Sequence, residues 1–280
     1  MKTLITGGSG YLGTHLRRHF GADDLSRRSG LNILNGEDVA MVSEYDVVIH
    51  LAACLDKSSE ATEEVFLTNV EGTVNVLKNV RRDAVFIFAS TKDVYGRFAD
   101  NFAEVTEECP TLYSGQSVLE WSKLIAERYV EYYSGQNNFR SCIFRLSNVY
   151  APATEGNTSG FVAAVVDAVN KGESIQLPGR GKPIRDFLHV DDFAAACEAF
   201  RESVIRRGLY NLGGGASNSV SLTDLVEKVE EVSGLQAAVD GRDPLPDPVP
   251  FKYISSLNRV WQELGWRPAI DLETGIRTLI

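Results

Sequence analysis

Cysteine is scarce and scattered in this 280-residue chain: Cys54, Cys109, Cys142 and Cys197 are the four present. Their spacing excludes the paired pattern of a zinc site and the density of a disulfide scaffold, so they read as reduced core thiols and no metal is expected. No apolar run approaches the length of a membrane span, and the glycines from Gly7 to Gly10 interrupt the apolar residues near Met1. The expectation is a soluble, cytoplasmic protein with no membrane partner. Positive charge is also in deficit, with 28 Lys and Arg against 38 Asp and Glu and a formal net charge of −10. That balance argues against nonspecific nucleic-acid binding, and an anionic ligand has to be held by local arginines and helix ends. Internal repeats and low-complexity tracts are lacking too. What remains is one large domain, or a domain with a smaller lobe attached.

Glycine, by contrast, is concentrated where it carries chemistry. Leu4 and Ile5 read as a short strand that breaks into Gly7, Gly8, Gly10 and Gly13, after which His15 to Phe20 reads as a helix. A strand that turns through glycines into a helix binds phosphate. Gly7 permits the tight turn, Gly10 lets the backbone approach a pyrophosphate, Gly13 lets the helix lie close on the strand, and free N–H groups at the helix start face the anion. Further on, apolar runs alternate with helical patterns. A thin second strand falls around Leu25 to Arg27, then come Asp46 to Leu51, a helical Glu63 to Val80, Ala84 to Ser90, a helix from Leu119 to Tyr133, and Ser141 to Leu146. Short buried strands separated by helices predict an α/β fold with a parallel, doubly wound sheet. After Asn148 the rhythm breaks. Pro152 to Gly160 and Pro178 to Pro183 are loop-like, Phe161 to Asn170 is helical, and Gly241 to Pro250 holds four prolines and cannot be regular helix. A smaller, irregular C-terminal substrate lobe fits that region.

Several further segments carry chemistry when taken together. They are Thr6-Gly7-Gly8-Ser9-Gly10-Tyr11-Leu12-Gly13, His50-Leu51-Ala52-Ala53, Asn69 in its Asn-Val-Glu-Gly-Thr context, Ser90 to Gly96, Arg145 to Pro152, Arg185 to Asp192, and Tyr210 to Gly213. Seven pieces in this order resemble the extended short-chain dehydrogenase/reductase family, the nucleotide-sugar epimerases, dehydratases and reductases. The resemblance covers nearly the whole chain. It implies a Rossmann-type NAD(P)-binding domain over residues 1–150 plus about 187–213, and a substrate lobe over about 151–186 and 214–280 that holds a nucleoside-diphosphate sugar. It implies cofactor contacts from Gly7, Gly10, Tyr11, Leu12, Gly13, Arg27, Arg28, Asn32, Ile33, Leu51, Ala52, Ala53 and Asn69. Thr91 matches the serine or threonine whose hydroxyl bonds the reacting sugar oxygen. Lys123 matches the lysine that bonds the nicotinamide ribose and lowers the pKa of a tyrosine one turn earlier. Asn148 and Arg185 match contacts to the substrate's phosphates. A homodimer through Glu63 to Val80 and Leu119 to Tyr133 is implied as well. Outside the pattern, Thr91 reads as a turn cap, Lys123 as a solvated surface lysine, Arg185 as a structural partner of nearby aspartates, and His50 and His189 as packed strand residues.

The chain departs from the family at three places. The tyrosine four residues before Lys123 is replaced by Leu119, which has no proton to exchange. Tyr113, in the loop after Pro110, is the candidate displaced donor, with Glu120 and Tyr95 as others. At the end of the second strand, Ser26-Arg27-Arg28 stands where NAD-preferring relatives place an acid, which favours NADP over NAD, although Asp23 and Asp24 are close enough to reverse that with a shifted strand. In the C-terminal lobe, Leu264-Gly265-Trp266-Arg267-Pro268 is kept, but the arginine segment before it reads Arg242-Asp243-Pro244-Leu245-Pro246, leaving Arg242 as the shifted candidate for a second phosphate contact. Two functions follow: an NAD(P)-dependent epimerase or reductase acting by hydride transfer at a sugar carbon, or a cofactor-binding sensor or assembly protein that has lost the chemistry.

Overall fold

A computed structural model describes residues 1–154, 160–241, 245 and 248–280. The first half runs β1 (Thr3–Thr6), α1 (Tyr11–Phe20), β2 (Asp23–Leu25), α2 (Gly36–Val39), β3 (Val47–His50), α3 (Thr62–Phe66), α4 (Gly72–Asn79), β4 (Val85–Thr91), α5 (Val118–Asn137) and β5 (Arg140–Leu146). There follow β6 (Asn148–Tyr150), α6 (Phe161–Lys171), β7 (Ser174–Ile175), β8 (Ile184–His189), α7 (Val190–Glu202) and β9 (Arg207–Leu212). The chain closes with β10 (Ser219–Ser221), α8 (Leu222–Ser233), β11 (Ala238–Val239), β12 (Lys252–Tyr253), α9 (Asn258–Leu264) and α10 (Leu272–Arg277).

The main sheet has the order β2-β1-β3-β4-β5-β9, and every pairing in it is parallel. β1 and β3 are buried throughout, as central strands covered by helices on both faces must be. Successive residues point to opposite faces, so Ile5 and Ile49 join one apolar core with Phe144 and Phe193, while Leu4 and Val48 join another with Leu77, Phe86 and Val130. This is the Rossmann-type, doubly wound sheet expected from the alternation of runs. From β1 the chain steps outward to β2 on one side and then crosses to β3 on the other. Their carboxyl ends therefore splay at a switch point, where a crevice opens.

The elements differ in detail from the sequence expectation. α1 starts at Tyr11, not His15, directly after the glycines. β2 covers Asp23–Leu25, and Arg27–Ser29 turns away as a single 3-10 turn. The helical stretch Glu63 to Val80 is two helices joined by a π turn, Leu67–Glu71, which rotates Asn69 inward. α5 begins with a capping box. Ser117 Oγ accepts from the Leu119 N–H at 3.3 Å and Glu120 Oε2 accepts from the Ser117 N–H at 2.6 Å. Its buried face, Leu119, Lys123, Ala126, Glu127 and Val130, follows helical spacing and lies on the sheet.

A second, smaller sheet forms around β8, which pairs with β10, β12 and β6. Ser147 alone separates β5 from β6, so the chain passes from one sheet to the other at that residue. Asp186, fully buried, binds the two together: its carboxylate accepts from Ser147 Oγ, from the Gly215 N–H at 3.1 Å and from the Ser255 N–H at 3.0 Å. No described helix is long and apolar enough to cross a membrane.

Candidate active site

The glycine turn is built as the sequence implies, with each glycine held by a specific neighbour. Gly7 has φ +72°, and a Cβ there would stand 2.8 Å from the Ala52 nitrogen, so the loop after β3 passes directly beside it. At Gly13 a Cβ would overlap the Gly7 carbonyl oxygen and stand 2.7 Å from Gly8 Cα. The close approach is thus between the helix and the glycine loop, rather than the strand. Gly10, the N-cap of α1, has no side-chain cap, and the first turn carries no acid. The N–H groups of Tyr11, Leu12 and Gly13 therefore open on the crevice with the positive end of the helix dipole behind them.

The crevice is a cleft of about 830 Å³. It is lined by Gly7, Gly10, Tyr11, Leu12 and Gly13, by Arg27, Arg28, Asn32 and Ile33, and by Leu51, Ala52 and Ala53; Thr91, Lys123 and Asn148 line its other end. Seams from five strand ends meet there. The bare helix end and the uncapped cradle fit a dinucleotide's pyrophosphate.

At the end of β2 the charges are sorted by local bonding. Asp23 accepts from the Tyr45 hydroxyl at 2.8 Å. Asp24 accepts from Ser26 Oγ at 2.8 Å and pairs with Arg17 at 3.5 Å, with its second oxygen packed under Gly8. Neither aspartate lines the cleft, whereas Ser26, Arg27 and Arg28 do. Arg28 Nη1 donates to the Ser9 carbonyl at 3.2 Å, and Arg27 pairs with Glu64 at 3.5 Å. Asn32 is fixed by its neighbours: its N–H donates to Asp38 at 2.7 Å and its side-chain oxygen accepts from the Leu34 N–H at 3.0 Å.

Thr91 closes β4 at the cleft, and its hydroxyl also accepts from the Asp93 N–H at 3.2 Å, so it caps the following turn as well. Lys123 is buried, not solvated. Its Nζ donates to the Ala89 carbonyl at 2.9 Å and sits 4.9 Å from the centre of the Phe88 ring. Burial pushes the ammonium down to about 8, against a smaller opposing pull from Glu127. Glu127 itself is held by Arg145 at 2.6 Å and by Ser90 Oγ at 2.5 Å. Under this layer His50 is neutral, its pKa pushed down to about 3 by burial and then by the Lys123 charge. The Thr73 hydroxyl donates to the Asn69 carbonyl at 2.6 Å, so it accepts from His50 Nε2, at 2.9 Å. Nδ1 then accepts from Thr6, at 2.6 Å. His50 is a packed strand residue.

The structure does not bring the expected displaced donors to the cleft. Leu119 lines it, one turn before Lys123. Tyr113 is 71% exposed and outside the cleft, because the loop after Pro110 does not fold back. Tyr95 is buried, donating to Asn211 at 2.7 Å and accepting from Arg145 at 3.0 Å. Glu120 caps α5 and pairs with Lys57 at 2.6 Å.

Three other expectations meet a different structure. Asn69 is buried beneath the cleft rather than lining it; its amide spans the Cys54 N–H at 2.7 Å, the Cys54 carbonyl at 2.9 Å and Ser122 Oγ at 2.8 Å, pinning the loop after β3 to α5. Arg185 is buried, and its guanidinium donates to the backbone carbonyls of Ile184, Phe251 and Pro250 at 2.6–2.8 Å. It holds the lobe's strands instead of reaching into the cleft. Arg242 lies outside the described residues. Cys54, read as a core thiol, is half-buried and lines the cleft with Thr68, Ser147 and Phe161. Its place directly after Ala53 was the available signal for that role.

A doubly wound sheet with a bare helix N-terminus at its switch point defines a nucleotide-binding α/β protein. The pattern of the NAD dependent epimerase/dehydratase family matches residues 3–213, and the chain belongs to that family. The chain is similar to a dTDP-glucose 4,6-dehydratase from Mycobacterium tuberculosis, at 29% identity over 100% of this chain and 92% of that one. It is similar in fold to a UDP-glucose 4-epimerase from Thermotoga maritima determined with UDP-glucose, with a TM-score of 0.82, 23% identity, and coverage of 99% of this chain and 97% of that one. RMD from Pseudomonas aeruginosa, determined with NADPH, also has a TM-score of 0.82, at 21% identity and with the same coverage. An NAD(P) cofactor agrees with the family and with the cradle.

Proposed function

We propose that the protein is an NAD(P)-dependent nucleotide-sugar epimerase or reductase that works by hydride transfer at a sugar carbon. The observation that carries this is one cleft in which the bare N-terminus of α1 shares its walls with Thr91, Lys123 and Asn148. The names of the relatives, a dehydratase at 29% identity and a dTDP-4-dehydro-6-deoxyglucose reductase at 27%, support the same reaction class. NAD(P) supplies the hydride donor or acceptor when bound. Gly7 to Gly13 hold the pyrophosphate, Leu51 to Ala53 lie along the dinucleotide, and Lys123 bonds the nicotinamide ribose. Thr91 bonds the reacting sugar oxygen, Asn148 faces the diphosphate, and residues of the segments 151–186 and 214–280 enclose the sugar nucleotide. With Arg27 and Arg28 at the cleft and Asp23 and Asp24 turned away from it, NADP is the preferred cofactor.

The reading extends to assembly and location. Phe66, Trp121, Ile125, Tyr129 and Tyr132 are exposed along α3 and α5, more apolar surface than a solvated helix pair carries, and support a homodimer through these helices. The four cysteines are free thiols, in keeping with the cytoplasm. The sensor or assembly reading has Leu119 in its favour, but that reading needs neither Thr91 nor a buried Lys123.

Mass spectrometry of the purified protein for retained NAD(H) or NADP(H), followed by NADPH and NADH oxidation with 4-keto sugar nucleotides, tests the proposal. Turnover with NADPH supports it. Absence of turnover and of epimerisation with every sugar nucleotide tried, in a protein that binds the cofactor, returns the sensor reading.

A further inference from the structure

With Leu119 in place of a phenol, the reaction proposed above has no assigned proton carrier, and the cleft restricts the choice sharply. Among the described residues lining it there is no Asp, Glu or His. The titratable side chains are Tyr11, Arg27, Arg28, Cys54 and Lys123. Tyr11 is committed to the lobe, donating to the Ala151 carbonyl at 2.5 Å and accepting from the Ala151 N–H at 2.8 Å. Arg27 and Arg28 stand at the end of β2, beyond the glycine cradle, and arginine does not give up its proton. Cys54 follows β3 with its backbone fixed by Asn69.

Lys123 differs from these. Its ammonium has three donors, and among the described residues one acceptor meets it, the carbonyl of Ala89, two residues before Thr91 on β4. The remaining donors belong to a side chain that is buried yet borders the cleft. We propose that Lys123 is the proton-transfer residue of this site, its Nζ exchanging the proton with the reacting sugar oxygen that Thr91 holds, while Leu119 keeps the preceding turn apolar. This rests on the epimerase or reductase reading. In the reducing direction the carbonyl carbon accepts a hydride and its electron pair from the reduced nicotinamide, the carbon–oxygen π pair moves to oxygen, and that oxygen takes a proton from Nζ. The products are the alcohol, the oxidised nicotinamide and a neutral amine, which regains its proton from solvent in the open cleft. In the oxidising direction the neutral amine takes the hydroxyl proton as the hydride leaves.

The surroundings suit both forms. On α5, Glu127 is the nearest carboxylate, and it is already bound by Arg145 from β5 and by Ser90 from β4. On β3, His50 is neutral and hydrogen-bonded at both nitrogens. Among the described residues no carboxylate touches Nζ to lock it as an ammonium, and burial holds its pKa at about 8, close to the working pH that favours general acid–base transfer.

Two readouts test this. Competitive acylation across pH, read lysine by lysine by mass spectrometry on the whole protein, should give Lys123 a midpoint near 8; a midpoint above 10 overturns the proposal whatever the activity. The Lys123→Ala variant, whose cooperative thermal melting checks its fold, should lose about 10²–10⁴-fold in kcat and regain part of it with added ethylamine. Its restored rate should rise with the basicity of the amine in the oxidising direction. A parent enzyme that turns over a 4-keto sugar nucleotide while Lys123→Ala keeps its rate, or shows no response to any amine, overturns the proposal alone. A parent that turns over none overturns the functional reading, and the proposal with it.

Discussion

Arg27 and Arg28 offer a direct measure of how the end of β2 selects the cofactor, and replacing both with alanine should weaken NADPH binding while sparing NADH. A charge-assisted hydrogen bond to phosphate contributes roughly 1.5–3 kcal/mol when protected from water. The Arg27 side chain is 70% exposed and already faces Glu64 at 3.5 Å, so its share falls to about 1 kcal/mol or less. Arg28 is better positioned, because its bond to the Ser9 carbonyl anchors it beside the glycine loop, and about 1–1.5 kcal/mol is reasonable for it. Together these give about 2 kcal/mol, or roughly a 30-fold rise in the NADPH Kd. NADH lacks the 2′-phosphate and should change by less than about threefold. Calorimetric titration of parent and double variant with both cofactors makes NADH the control for folding. Added salt should narrow the difference, since both side chains border solvent. Tighter binding of NADH by the parent, or an equal loss of both cofactors in the variant, would refute the reasoning.

Other perturbations separate shape from chemistry. Gly13→Ala forces a Cβ into the Gly7 carbonyl and should destabilise the fold by roughly 2–4 kcal/mol. In Gly10→Val the new Cβ meets the Gly7 oxygen at 3.1 Å, so the protein should still melt cooperatively but bind NADPH at least about tenfold more weakly; unchanged affinity would remove the pyrophosphate from this loop. His50 is neutral in the folded protein and protonates in the unfolded chain near 6.5, so stability is full above pH 6.5 and lost as pH falls toward 3. The loss is about 5 kcal/mol, and urea titrations of His50→Gln should show a flatter slope over that window. Arg185→Met removes the guanidinium donor shared by three carbonyls, of which Phe251 keeps the Ile184 N–H, and should lower stability by roughly 3 kcal/mol, with KM for a sugar nucleotide changing less than about threefold. A large rise in KM with unchanged melting would restore its phosphate role.

Local sequence was sufficient for the cradle and the sheet. The order Leu4-Ile5, Gly7, Gly10, Gly13 forces a strand, a left-handed turn and a close helix, because the positive φ at Gly7 and the approach of Gly10 and Gly13 to Gly7 are local; only the passage of Ala52 beside Gly7 comes from a distant segment. The apolar runs Val47 to Ile49 in β3 and Val85 to Ala89 in β4 likewise specify central parallel strands without reference to anything distant. The capping box that opens α5 is written in four consecutive residues, Ser117 to Glu120. What chain neighbours could not decide was where long polar side chains end. Arg185 and Asn69 sit in the stretches that suggested ligand contacts. Both are instead satisfied by backbone that folding brings close, Phe251 and Pro250 for one and Cys54 for the other.

The same division holds for charge. The residues Asp23, Asp24, Arg27 and Arg28 are close in sequence, and tertiary partners sort them: Tyr45 holds Asp23, and Arg17 and Gly8 hold Asp24, away from the cleft while the arginines remain on it. Without the family pattern Lys123 reads as a surface lysine; laying the sheet against α5 buries it, and burial shifts its pKa down. The sequence by itself determined the backbone path and the absence of a phenol at position 119, since both follow from residue type and spacing. The tertiary structure decided which polar groups face the ligand and in which protonation state, because desolvation and hydrogen-bond pairing depend on contacts between segments far apart in the chain.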